Sequence, residues 1–221
     1  MSNLSYQFLS NFIAMTVPLL FIVFMIDNKD NRRTILYLCW GIFSGILAYN
    51  INNLLGAEWG QSDRMVTSIA PMVEELLKGL PVLLFLNRKK YPQITKTIVF
   101  CAMASGIGFS IQESMFYFAI SSREANDIAA LIVRSFTTAL MHGMTTAIIG
   151  VGIMQLRKYT ELLVPVVFGL FALSVSIHAL YNLLLHTYLA VVALIMPFAM
   201  LIAGWWFVRN KTVEDTTPFK T

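Results

Sequence analysis

Residues 66–86 read VTSIAPMVEELLKGLPVLLFL. The run is long enough to cross a hydrocarbon core ~30 Å thick as a helix, yet Glu74, Glu75 and Lys78 lie at its middle. On a helix Lys78 sits three and four residues beyond the two glutamates, so the three come close together. Ionisable groups within a span each cost ~2.5–3.5 kcal/mol on the insertion scale. A lipid-facing position for them is implausible, and their face is predicted to line an interior shared with other helices. Pro71, Gly79 and Pro81 flank the group. A kinked or locally unwound span is expected, as membranes tolerate where backbone is buried in protein or faces a watery cavity.

Six further apolar stretches surround this one, and seven spans can be drawn at about 7–26, 34–55, 66–86, 94–120, 128–156, 162–185 and 188–208. The sixth and seventh are separated only by the region of His186 and Thr187, which predicts a tight hairpin. Composition agrees: 57% of the residues are hydrophobic, 13% charged, and the mean hydropathy is +0.68. A soluble domain carries roughly a quarter charged residues. The fold class is therefore all-α, a polytopic membrane bundle forming a single domain over 1–221. The run from Gln7 to Ile26 lacks a basic flank and a small-residue cleavage site, so it is read as a retained first helix.

A net charge of +4 and a pI near 9.1 would suit a nucleic-acid partner, but the basic residues sit in short loops. Lys29, Arg32 and Arg33, then Arg88, Lys89, Lys90 and Lys96, then Arg157 and Lys158, and finally Arg209, Lys211 and Lys220 mark alternate loops and the tail. The intervening loops have only Arg64 and Arg123. The positive-inside rule then places the N-terminus outside and the C-terminus, with the short tail 210–221, in the cytoplasm. Trp205 and Trp206 read as interface anchors. Cys39 and Cys101 fall inside apolar spans, belong to no CxxC pair, and read as small buried hydrophobes.

Other spans carry polar groups too: Glu113 in the fourth, Arg134 and His142 in the fifth, His178 and Asn182 in the sixth. Phe109 and Glu113, His142 and Thr146, and His178 and Asn182 are each one helical turn apart. At 1.5 Å per residue, Glu74, Glu113 and His178 lie ~10–12 Å from the outer ends of their spans, and His142 ~16–21 Å. Three of the four thus coincide in the outer half of the bilayer, and His142 fits less well. Blander roles are available for several neighbours. Glu75 with Lys78 can be a buried structural pair, Arg134 a helix-end or salt-bridge residue, and His186 an interfacial one. Asn50, Asn52 and Asn53 suit hydrogen bonding between helices. Ala104 with Gly108 and Gly106 with Ser110 are small-residue pairs that let the fourth span pack closely.

Two glutamates and two histidines in one interior suffice for hydrolysis. A carboxylate can act as general base and then acid, while imidazole N–H groups and the Asn182 amide can donate to a developing oxyanion. Glu74, Glu113, His142 and His178 also make a four-ligand oxygen and nitrogen set suited to zinc, though there is no HExxH helix. A proton- or ion-coupled transporter would use the same buried carboxylates, but no inverted repeat is visible. A catalytically silent sensor or immunity protein is the third reading.

At these residues the chain resembles the PrsW family of intramembrane proteases, which is similar to the CAAX prenyl endopeptidases and the Abi immunity proteins. Glu74-Glu75-Leu76-Leu77-Lys78 matches the family's EExxK motif and Phe109-Ser110-Ile111-Gln112-Glu113 its FxxxE motif. His142 and His178 match two later histidines, the second within His178-Ala179-Leu180-Tyr181-Asn182. Glu113 and Lys78 stand where the CAAX branch has His and Arg, which favours PrsW. The resemblance implies an endopeptidase of the bacterial plasma membrane whose catalytic core spans about 66–186. Glu74 or Glu75 would activate water, with Glu113 and His142 assisting and Lys78 orienting. His178 and Asn182 would form the oxyanion site. The substrate implied is a membrane-tethered protein, such as an anti-sigma factor cut outside the membrane; no nucleic acid is implied. Family members are described both as metalloproteases and as metal-free glutamate proteases. The expectation here is metal-free catalysis, with zinc as the alternative.

Overall fold

The computed structural model describes residues 28–59, 68–86, 96–121, 128–156 and 160–214. The expected first span at 7–26 lies outside the described residues, as do most of the charged loop positions. Six α-helices follow in order among the described residues: α1 (Lys29–Trp59), α2 (Ala70–Gly79), α3 (Lys96–Ser121), α4 (Ile128–Leu156), α5 (Thr160–Leu185) and α6 (Ala190–Glu214). Among the described residues there is no strand. Within the described residues, Lys29–Gly56, Thr97–Phe116, Ile132–Gln155 and Val164–Leu185 are each long and apolar enough to cross a membrane, and Ala190–Trp206 is an apolar stretch of α6. Large apolar side chains such as Val164, Phe168 and Ile202 stand exposed on α5 and α6, a surface that suits lipid better than water.

Helix directions alternate. Gly41 opposes Ser105 and Gly45 opposes Gln112, while Tyr49 stacks on Phe116, so α1 and α3 run parallel. Trp40 meets Leu77 and Asn52 meets Glu74, so α2 runs against α1. Thr138, Thr145 and Gly152 of α4 meet Tyr181, Ser174 and Leu170 of α5 in descending order. Phe136 and Met144 meet Phe198 and Gly204 of α6 in ascending order. This is the pattern of successive crossings of one layer. The expected hairpin between the last two spans is also present: His186 and Thr187 donate backbone N–H groups to Leu183 and Leu184, and α6 begins at Ala190.

The α2 region departs from a regular helix, as its prolines and glycine predict. After Gly79 the chain tightens into a 3₁₀ helix, Leu80–Leu86. Pro81 has no N–H, so the carbonyl of Leu77 four residues earlier loses its helical donor. Trp40 of α1 replaces it, donating from Nε1 at 2.9 Å. Tyr37 donates its hydroxyl to the Pro81 carbonyl at 2.6 Å, and Ser105 of α3 donates to the Lys78 carbonyl at 2.8 Å. The break is held by neighbouring helices. It lets Val82 and Phe85 pack with Ile98, Cys101, Ala102, Ile149 and Ile153 in a buried cluster. Cys39 and Cys101 are free thiols; Cys101 is buried as the sequence reading expects, whereas Cys39 is only half-buried.

Small residues set the helix spacing. A Cβ on Gly41 or Gly108 would meet backbone of the facing helix across the α1–α3 crossing. One on Gly106 would run into the carbonyl of His142 and the Cα of Gly143 on α4. The packing role expected of the α3 glycines therefore has a functional edge, because the backbone that Gly106 admits is that of a site residue.

Candidate active site

Helices α2 to α5 bring Glu74, Glu75, Lys78, Glu113, His142 and His178 to one interior. Glu75 is the hub. Its Oε1 accepts from Lys78 Nζ at 2.6 Å, His178 Nδ1 at 2.9 Å and Thr145 Oγ1 at 3.0 Å, and both Glu75 and Lys78 are fully buried. The Lys78 ammonium also lies 2.6 Å from His142 Nδ1 and 4.7 Å from the Phe109 ring centroid. An ammonium only donates, so His142 Nδ1 accepts and the imidazole proton is on Nε2. That proton points at Glu113 Oε2, 2.7 Å away. The two imidazoles meet edge to face, with centroids 4.7 Å apart.

Depth counting made His142 the outlier, yet it sits in the middle of the cluster. The cause is the length of α4, 29 residues from Ile128 to Leu156, which at 1.5 Å per residue is ~43 Å, well beyond a hydrocarbon core of ~30 Å. Helix ends are poor depth markers when a helix overruns the apolar layer.

The two adjacent glutamates occupy different environments. Glu74 accepts one hydrogen bond, from Asn52 Nδ2 of α1 to Oε1 at 3.3 Å. Its Oε2 is buried without a hydrogen-bond partner among the described residues and faces His178 Nε2 at 3.6 Å. Because His178 donates from Nδ1 to Glu75, its Nε2 presents a lone pair. Two acceptors thus face each other, too far apart for a direct hydrogen bond, a pairing suited to a shared proton, a water or a cation. An oxyanion role for His178 requires its doubly protonated form. Access follows the same division: the Glu113 side chain is 36% exposed and Glu74 13%, against 0–1% for Glu75, Lys78, His142 and His178. Asn182 is half-buried one turn beyond His178 on α5. Arg134 lies two turns before His142, half-buried.

Three residues outside the predicted set hold this geometry. Asn52 reaches Glu74. Thr145 bonds both Glu75 and the His142 carbonyl, with its own carbonyl held by Ser174. Thr146, the neighbour that spacing singled out, instead bonds back to the carbonyl of His142. An apolar groove of about 400 Å³ opens between the α2–3₁₀ segment and α5, walled by Leu76, Leu80, Leu83, Phe168 and Phe171, with Glu75 in its lining.

The donor set also fits a metal. Glu74, His142 and His178 offer ligand atoms within 4.8 Å of one another, one carboxylate and two imidazoles, which is a ligand set of catalytic zinc with its fourth position open. The orphaned Glu74 Oε2 is the oxygen such an ion would engage. Glu75 holds the other ring nitrogen of His178 at 2.9 Å, as carboxylates do for metal-bound histidines, fixing the tautomer and the ring's orientation. Ligation through His142 Nε2 requires that nitrogen to give up its proton, and the nearest acceptor is Glu113.

An alternating helical membrane bundle with acid, imidazole and ammonium groups gathered in its interior has the makings of a membrane-embedded hydrolase. Comparison with known families narrows this: the model described as PrsW family intramembrane metalloprotease matches residues 31–207. The chain belongs to that family, and the match runs through every site residue named above. It is thus a multi-pass membrane protein of an intramembrane protease family. No curated protein and no solved structure gives a match.

Proposed function

We propose that the chain hydrolyses a peptide bond of a membrane-tethered protein, with Glu74 as the carboxylate at the reacting water. The observation that carries this is the contrast between the glutamates. Each has an Oε2 without a partner among the described residues, but Glu75 is fully buried with Oε1 tied to three donors. Glu74 accepts from Asn52 alone, is 13% exposed and faces His178 Nε2 with its Oε2. Glu74 takes a proton from water as the water oxygen adds to the carbonyl carbon, and returns it to the amine nitrogen as the C–N bond breaks. The Asn182 amide donates to the oxyanion. Glu75, Lys78 and Thr145 fix the two imidazoles, and Glu113, the most accessible member, exchanges a proton with His142 Nε2. Zinc, where bound, would be held by Glu74, His142 and His178 and would supply Lewis-acid polarisation.

The orientation deduced from loop charge, with the N-terminus outside, puts this site in the outer half of a cell membrane. Cleavage is then near the outer juxtamembrane segment of the substrate, and an anti-sigma-factor-like single-span protein is the first substrate to try. The apolar groove beside Glu75 supports a membrane-embedded partner. The test is co-reconstitution of the wild type with single-span proteins, with and without chelator. Product that Glu74→Gln and Glu113→Gln abolish, while both variants still insert, supports the reading; full activity in both variants contradicts it. Chelator-sensitive product restored by zinc supports a ligand role for Glu74, His142 and His178.

A further inference from the structure

Asn52 comes from α1, a helix that contributes no residue to the predicted catalytic set, yet its amide is the one hydrogen-bond partner of the Glu74 carboxylate among the described residues. We propose that Asn52 is a positioning residue for Glu74, holding Oε1 so that Oε2 stays aimed at the reacting atoms; this rests on the reading of Glu74 given above. Three observations converge. Glu75 cannot swing, because three donors fasten it, whereas Glu74 has Asn52 alone and would otherwise rotate about its terminal torsion, which is broad and soft. The fixed orientation matters because the partnerless Oε2 stands 3.6 Å from His178 Nε2. Finally, Asn52 Oδ1 is itself buried without a partner, so the one side-chain hydrogen bond the amide makes among the described residues is the one to Glu74. The amide orientation follows from its neighbour, since a carboxylate oxygen calls for Nδ2 and not Oδ1.

Trp40 supplies the control. It also bonds α1 to α2, but to the Leu77 carbonyl and away from Glu74. Cleavage of a single-span protein and the infrared carboxyl bands of Glu74 (wild type minus Glu74→Gln) are measured in Asn52→Ala, Asn52→Gln and Trp40→Phe, each reconstituted in vesicles. In Asn52→Ala the Glu74 band should shift and kcat should fall about 10- to 100-fold, the range for lost outer-shell partners, with KM changed less than threefold. Asn52→Gln, which restores the amide on a longer arm, should recover part of kcat, and Trp40→Phe should leave both band and kcat of the folded protein unchanged. An unshifted band in Asn52→Ala, or equal losses of kcat in Asn52→Ala and Trp40→Phe, overturns the assignment. Should no variant and no wild type cleave any substrate, the band still decides for or against Asn52, while the protease reading alone is lost.

Discussion

Neutralising the two adjacent glutamates should produce opposite phenotypes. Glu75 is the sole carboxylate bonded to the fully buried Lys78 among the described residues, at 2.6 Å. Glu75→Gln keeps an oxygen for Thr145 and His178 but strands the ammonium of Lys78 without its counter-charge. Removing one partner of a buried pair costs about 3–5 kcal/mol, far more than the ~0.5–1.5 kcal/mol of an ordinary hydrogen bond. Glu74→Gln loses no such pair, and its carbonyl can still accept from Asn52, so it should cost under about 1 kcal/mol. Unfolding titrations in mixed micelles would read the difference directly. Replacing both members, Glu75→Gln with Lys78→Met, should recover at least ~1.5 kcal/mol of the loss, because the stranded charge goes with the lysine. Equal stability of Glu75→Gln and Glu74→Gln, or additive losses in the double variant, would refute the division of labour drawn between the two residues.

The helix crossings make two further predictions. Gly106→Ala places a methyl against the His142 carbonyl and Gly143; neither backbone can yield, so α3 and α4 must part. Overpacking of this kind costs about 1–3 kcal/mol, and a ~1 Å displacement of His142 should lower kcat about 100-fold, checked by cleavage rate at a temperature where the variant remains folded. Trp40→Phe leaves the Leu77 carbonyl without its donor beside Pro81 and should destabilise by about 1–3 kcal/mol, measured by the same micelle titration; a neutral effect would mean the 3₁₀ break needs no support from α1.

Much of this was legible because charge is so costly in a span. Glu74, Glu75, Lys78, Glu113, His142 and His178 stood out against apolar surroundings, and helical spacing alone put each on a face shared with a neighbour. The break after Gly79 was likewise announced by Pro81. The pairing of Glu75 with Lys78 was among the sequence readings and is found at 2.6 Å. What spacing did not decide is which glutamate serves the reacting water, since both lie within one turn of Lys78 and the facing helices set their other partners. Thr145 and Thr146 are equally plausible one turn from His142, and the choice depends on the rotation of α4 against α2. Asn52 could be read as an inter-helix bonder, and it is one, but nothing in the group Asn50, Asn52 and Asn53 names Glu74 as its partner. The depth of His142 failed for a simpler reason: a 29-residue helix overruns the layer it crosses.

The central claim is that Glu74 brings water to a peptide bond inside this bundle. It is tested most directly by mass spectrometry of products formed from a co-reconstituted single-span protein in oxygen-18 water. The account predicts a cut near the outer end of the substrate's span, one heavy oxygen in the new carboxyl terminus, and neither fragment with Glu74→Gln. Fragments that persist unchanged in Glu74→Gln would contradict it.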